Sequence, residues 1–206
     1  MLMKPKIHLY KDDLPDHLEF QKSVAIDTEA MGLRPARDRL CLVQLSTGDG
    51  VCHLVQFDRS YEAPNLKKLL TNPQILKIFH YARFDVAILS YYLGINIDNI
   101  YCTKIASKLS RTFTDRHSLR DLCRDLLNVD ISKEQQTSDW GASTLKPEQQ
   151  EYAATDVLYL HNLKEKLDLL LEREMRTELA TQCFKFLPTC TTLDLLGYED
   201  LGIFRH

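Results

Sequence analysis

Apolar and polar positions alternate at two different periods along this chain, and the change of period divides it. Residues 23–29 (SVAIDTE), 39–46 (RLCLVQLS) and 51–57 (VCHLVQF) carry short apolar runs rich in β-branched and aromatic residues, which predicts strands. The four-residue link TGDG between the second and third predicts a hairpin. A short helix over 65–71 closes at Asn72-Pro73, a strand follows over 75–80 (ILKIFH), and a helix over 82–93 ends at Gly94. Residues 97–102 predict a fifth, short strand, with helices near 103–109 and 118–127.

The stretch 129–146 has no clear period and predicts a long loop, a kind of segment that is often functional. Pro147 then opens a helical tract, in the first-turn position that suits proline. Ala153, Val157, Leu160, Leu163, Leu167 and Leu170 form its apolar stripe. A further helix near 175–187 is expected to end before Pro188, and the tail TTLDLLGYEDLGIFRH holds apolar groups that either pack back or dock on another subunit. Strands in an antiparallel meander, then strands alternating with helices, predict an α/β fold: a mixed five-stranded sheet flanked by helices, with helices at the C-terminal end. The 206 residues suit one domain, with no repeat and no linker to split it.

Composition narrows the classes. With 44% hydrophobic residues the chain can bury a core, and its formal charge of −3 argues against a protein that coats long nucleic acid. Contacts to a polyanion would be local. Two basic clusters, Arg34/Arg37/Arg39 and Arg111/Arg116/Arg120/Arg124, are candidates, with a solvated surface as the equal alternative. Six cysteines form no C-x-x-C pair and several interrupt apolar runs, so they are expected to be reduced, in a cytoplasmic protein. The N-terminus lacks the apolar stretch of a signal peptide, no run is long enough to span a membrane, and neither cysteines nor histidines have zinc spacing.

Five polar residues stand where chemistry competes with blander explanations. Asp27 and Glu29 lie two apart on a strand, so they share a face while Thr28 points away. Two acids on one face repel unless a cation lies between them, and the alternative is a polar strand end entering a turn at Gly32. Asp85 falls in the first turn of a helix, where an aspartate also complements the helix dipole. Tyr152 and Asp156 are four apart on a helix and share a face, as metal ligand and water-steering phenol or as a half-buried hydrogen-bonded pair.

Taken together, VAIDTEAMGL, HYARFD and YAATD resemble, in order and separation, the three motifs of the DEDD exonucleases, and the tyrosine four before the last aspartate resembles the DEDDy branch. The tract SDWGASTLKPEQQEYAATDVLYL is similar to the matching stretch of the ribonuclease D group. Length and motif wording are most similar to its short bacterial nanoRNase C type. The resemblance implies a ribonuclease H-like fold, a single exonuclease domain over 1–206 (core about 20–175, helical extension about 176–206) and a ring-shaped homo-oligomer, an octamer in that group.

It also implies 3′–5′ hydrolysis of short single-stranded RNA oligonucleotides, dinucleotides included, to 5′-mononucleotides. Two Mg2+ or Mn2+ ions, about 3.5–4 Å apart in such sites, would serve that hydrolysis. Asp27, Glu29 and Asp156 are expected to hold one ion, Asp27 and Asp85 the second, and Tyr152 to position the attacking water. Gly32, Leu33, His80, Phe84 and Trp140 are the expected substrate contacts, Leu33 as a wedge beside the terminal bases. For Leu33 and Phe84 the alternative is core packing, for His80 a strand cap, and for Trp140 an anchor of its loop. The rival functions are trimming of longer RNA ends or DNA, and an inactive nuclease fold that only binds nucleic acid. Intact acids and tyrosine speak against the last.

Overall fold

The structure is a computed structural model that describes residues 5–132, 134–135 and 137–204, without the side chains of Glu199, Asp200 and Leu201. Lys133 and Gln136 of the predicted 129–146 loop, the first four residues of the N-terminal segment and the last two of the tail lie outside the described residues. Six strands form one sheet: β1 (Lys6–Lys11), β2 (Ser23–Ala30), β3 (Leu40–Ser46), β4 (Val51–Gln56), β5 (Leu76–Phe79) and β6 (Ile100–Cys102), in the order β1-β4-β3-β2-β5-β6. The meander β2-β3-β4 is antiparallel, as the TGDG link predicts, and β5 and β6 join parallel to β2.

The expected sheet had five strands, and β1 corrects it. This strand runs parallel to β4 at the sheet's edge, and only part of each side chain is covered, so KIHLYK carries a weak apolar signal.

Helices α1 (Pro64–Thr71), α2 (Ala82–Leu93), α3 (Thr103–Ser110) and α4 (Leu119–Leu127) fall within a residue or two of expectation. The tract after Pro147 is two helices, α5 (Pro147–Leu158) and α6 (Leu160–Arg173), meeting at Tyr159. The bend lets α5 lie across β2, β3 and β4 while α6 turns to pack on α3 and α4. A second correction concerns Pro188, which lies inside α7 (Thr177–Leu195) instead of ending it. Proline removes one backbone donor, but Leu187, Cys190 and Thr191 beside it are buried, and tertiary packing carries the helix on. A closing 3-10 helix, Glu199–Phe204, packs back on α7 through the Phe186 and Phe204 rings, 6.0 Å apart.

Two cores flank the sheet. Val24, Ile26 and Phe79 join α1 and α2 on one face, and Ala25, Ile78 and Leu54 join α5 and α6 on the other. β2 is shared by both, so its alternating side chains reach both layers at the end where the carboxylates lie.

Candidate active site

At the C-terminal end of β2, Asp27 and Glu29 face α5, and Asp156 reaches them from that helix. One carboxylate oxygen from each lies within 4.8 Å of the others. The register between β2 and β3 shifts between Glu29 and Ala30, a bulge that re-aims the strand where the second acid stands.

Asp85 comes from the opposite layer, on the first turn of α2, and is 3% exposed. Its Oδ1 accepts a 2.6 Å hydrogen bond from the Thr28 hydroxyl. The expectation that Thr28 points away from Asp27 and Glu29 holds, and the face it points to is the one that carries Asp85. Thr28 is thus a site residue that strand alternation places without revealing its partner.

These acids cannot all be charged together without a counterion. Burial, opposed by a backbone N–H bond, pushes the Asp27 carboxyl up to about 7. Burial, then the charges of Asp27, Asp156 and Asp85, push Glu29 up to about 10. Asp85 and Asp156 are likewise raised by burial and then by Asp27. Gln44, fully buried and opposite Asp27 in register, offers Nε2 toward Asp27 at 3.5 Å and leaves Oε1 without a partner. An all-oxygen donor set, half-buried and mutually repelling, beside an orphan carbonyl oxygen, fits a hard divalent cation such as Mg2+. A polar residue inside the apolar run LCLVQL was the sequence signal for Gln44.

Tyr152 stands one turn before Asp156 on α5, and its hydroxyl is raised by burial and then by the charges of Asp156, Glu29 and Asp27. Trp140 packs against it with ring centroids 6.1 Å apart and is 3% exposed. The tryptophan is therefore buried as an anchor of its loop, packed behind the Tyr152 ring.

The remaining candidates divide. Leu33 is 86% exposed, which removes the core alternative for it. A Cβ on Gly32 would stand 2.3 Å from Asp38 Oδ2, so the glycine admits the carboxylate that accepts from the Arg34 backbone N–H. Phe84 is half-buried against the α2 core. His80 Nδ1 lies 2.9 Å from Thr103 Oγ1, whose own proton goes to the Phe79 carbonyl. Burial, then Lys104 and His117, lower His80 to about 3, so it is neutral and not a cation for a phosphate.

Tyr81, which the sequence did not single out, caps α2 with left-handed backbone (φ 70°) and lies under the Lys104 ammonium at 4.1 Å. The basic clusters are largely spent on ion pairs: Arg37 with Asp38, Arg111 with Asp125, Arg120 with Asp130 and Arg124 with Asp121. Among the described residues no helix is long and apolar enough to cross a membrane.

Comparison with known proteins places this arrangement. The family described as 3′–5′ exonuclease matches residues 11–172. Ribonuclease D of Gluconacetobacter diazotrophicus is 33% identical over 163 residues, 79% of this chain and 41% of that protein. DNA polymerase I of Aquifex aeolicus is 35% identical over 75% of this chain and 25% of its own length. The chain thus spans less than half of these curated relatives. NrnC of Brucella melitensis superposes with a TM-score of 0.93 at 52% identity, covering 98% of this chain and 99% of that one. That protein is also known with bound Mg2+ and bound to pGG. With its ribonuclease H-like sheet and its acids from β2, α2 and α5, this chain belongs to the 3′–5′ exonuclease family, in the ribonuclease D-like group and beside NrnC.

Proposed function

We propose that the chain is a cytoplasmic 3′–5′ exoribonuclease that degrades short oligoribonucleotides, dinucleotides included, to 5′-mononucleotides. The observation that carries this is the convergence of Asp27, Glu29 and Asp156 within 4.8 Å. Likeness to NrnC over nearly the whole chain, and the pGG held by that protein, support the short substrate. Asp27, Glu29 and Asp156 hold one Mg2+ or Mn2+, and Asp27 with Asp85 a second. When bound, the cations supply acidity to the attacking water and charge stabilisation to the leaving 3′-oxygen. Tyr152 stays protonated at neutral pH, because burial and three carboxylates oppose its ionisation, so its hydroxyl orients the water and does not deprotonate it. Leu33, standing free of the core, wedges beside the terminal bases, where an apolar contact tolerates any sequence.

In the same reading residues 1–206 form one exonuclease domain, with a core of about 20–175 and an extension of about 176–206 that packs on α2. Exposed Leu179, Leu196, Tyr198 and Phe204 on that extension suit self-association, as a ring of copies. DNA or longer RNA is the second substrate reading, favoured by the likeness to DNA polymerase I.

Rates on 5′-phosphorylated oligomers of two to ten residues, with ribose and deoxyribose, test the substrate. Fastest turnover of the ribo-dinucleotides is expected, and equal or faster turnover of ten-residue DNA would overturn the assignment. Asp27→Asn and Asp156→Asn are expected to abolish cleavage in folded protein. EDTA is expected to stop turnover and Mg2+ or Mn2+ to restore it.

A further inference from the structure

Four carbonyl groups around Trp140 are each held by a long side chain from a different part of the fold. Gln149 Nε2 on α5 donates to the Asp139 carbonyl at 3.2 Å, and Arg39 Nη2, just before β3, to the Gly141 carbonyl at 3.0 Å. Gln56 Nε2 on β4 donates to the Ala142 carbonyl at 2.8 Å, and Lys11 Nζ on β1 to the Ser143 carbonyl at 2.9 Å. The carbonyls on both sides of Trp140 are therefore fixed.

The clamps are themselves fixed. Gln56 and Gln149 are buried, and Gln56 Oε1 accepts from Lys11 Nζ at 2.6 Å while Gln149 Oε1 accepts from the Lys146 N–H at 2.9 Å. Gly141 leaves no room for slack: a Cβ there would stand 2.5 Å from Met31 Sδ and 3.0 Å from Arg39 Nη2. Buried amides with both ends satisfied are costly to displace and specify one conformation. What they specify is the indole of Trp140 against the Tyr152 ring.

We propose that Gln56, Arg39, Gln149 and Lys11 are positioning residues, a cradle that holds Trp140 as the backstop setting where the Tyr152 hydroxyl stands. The proposal rests on the reading that Tyr152 orients the attacking water. It assigns Trp140 a mechanical part in turnover and brings β1, the edge strand, into the site through Lys11.

Trp140 is the single tryptophan of the chain, so its fluorescence reports the cradle directly. The test compares the full-length protein with Gln56→Met, Trp140→Phe, their double variant and Tyr152→Phe, on a 5′-phosphorylated dinucleotide with Mg2+. Gln56→Met is expected to make Trp140 more accessible to acrylamide and to lower kcat about tenfold with KM within about twofold, the size of effect that small misplacements produce. In the Trp140→Phe background the same substitution is expected to cost less than about twofold more, because the two act through one ring.

Additive losses in the double variant, or a loosened tryptophan with unchanged kcat, would overturn the proposal, as would unchanged quenching in Gln56→Met. Should Gln56→Met fail to fold, Arg39→Met loosens the same carbonyl row from the other side and is judged by the same outcomes. Full activity in Tyr152→Phe would sink the role of the tyrosine itself, and with it the catalytic purpose of the cradle. Quenching that still responds to Gln56→Met would show that failure to be separate from the clamp.

Discussion

Thr28→Val removes the side-chain hydrogen bond that joins the two acidic layers. The valine keeps the branched shape and removes only the hydroxyl that donates to Asp85 Oδ1 at 2.6 Å. Both residues are buried, at 6% and 3% exposure, so water does not replace the lost donor. The hydroxyl favours the charged carboxylate, against burial and the neighbouring Asp27, which push the Asp85 carboxyl upward. A hydrogen bond to a charged group contributes about 1.5–3 kcal/mol. Protonated Asp85 also loses a neutral bond of about 1 kcal/mol, so the net is about 0.5–2 kcal/mol, and at about 1.4 kcal/mol per factor of ten ionising Asp85 to receive a cation becomes about two- to 30-fold harder.

The assay is the Mg2+ dependence of dinucleotide turnover at neutral pH. The half-saturating concentration is expected to rise by that factor, while the metal-free protein melts within about 1 kcal/mol of the parent, since there only a neutral hydrogen bond is lost. Thr28→Ser restores the hydroxyl and is expected to recover most of the affinity. A half-saturating concentration unmoved in the valine variant, or a serine variant as impaired as valine, would refute the assignment of Thr28 as the support of Asp85.

Other consequences are open to measurement. In EDTA the folded protein keeps protons on Asp27 and Glu29 that the unfolded chain has released, so stability is fullest below about pH 4 and is lost as pH rises through about 7 and on toward 10. Melting curves from pH 5 to 9 are expected to fall in EDTA and to flatten with Mg2+, and a rise with pH in EDTA would contradict the electrostatics. For the same reason Asp27→Asn is expected to raise the metal-free melting temperature at pH 8 while abolishing cleavage, a trade of stability against activity that a scan and one rate assay check together. Five of the six free cysteines are buried, and burial pushes Cys52 and Cys123 up to about 12 and Cys41 up to about 11. Thiol titration of the native protein is therefore expected to label Cys183 alone at speed, with all six reacting after denaturation.

The shared faces of the candidate site were legible because their residues lie on regular elements whose period fixes side-chain direction. Asp27 and Glu29 share a face by strand alternation, and Tyr152 and Asp156 by the four-residue helical step. Asp85 was legible only as part of a motif, since nothing local says that the layer opposite Asp27 will deliver it to Thr28. β1 escaped because an edge strand needs little apolar surface. Pro188 misled because the loss of one hydrogen bond is outweighed by a buried flank on either side of it. Leu33 could be placed in the core or in solvent by sequence alone, and only the turn from Gly32 to Asp38 decides. Three of the four clamps around Trp140 join residues 86 to 132 positions apart, pairings that no local period encodes.

Arg83 lies two residues before Asp85, and its guanidinium grips both oxygens of Asp194 through Nε, at 2.6 Å, and Nη2, across 111 positions of chain. Asp194 stands on the part of α7 beyond Pro188. Progressive shortening of the polypeptide from its far end should therefore show a sudden drop in turnover once this carboxylate goes. A mutagenesis survey that scored activity alone would file Asp194 among the chemical groups, when its office is that of a mooring for the helix that presents one.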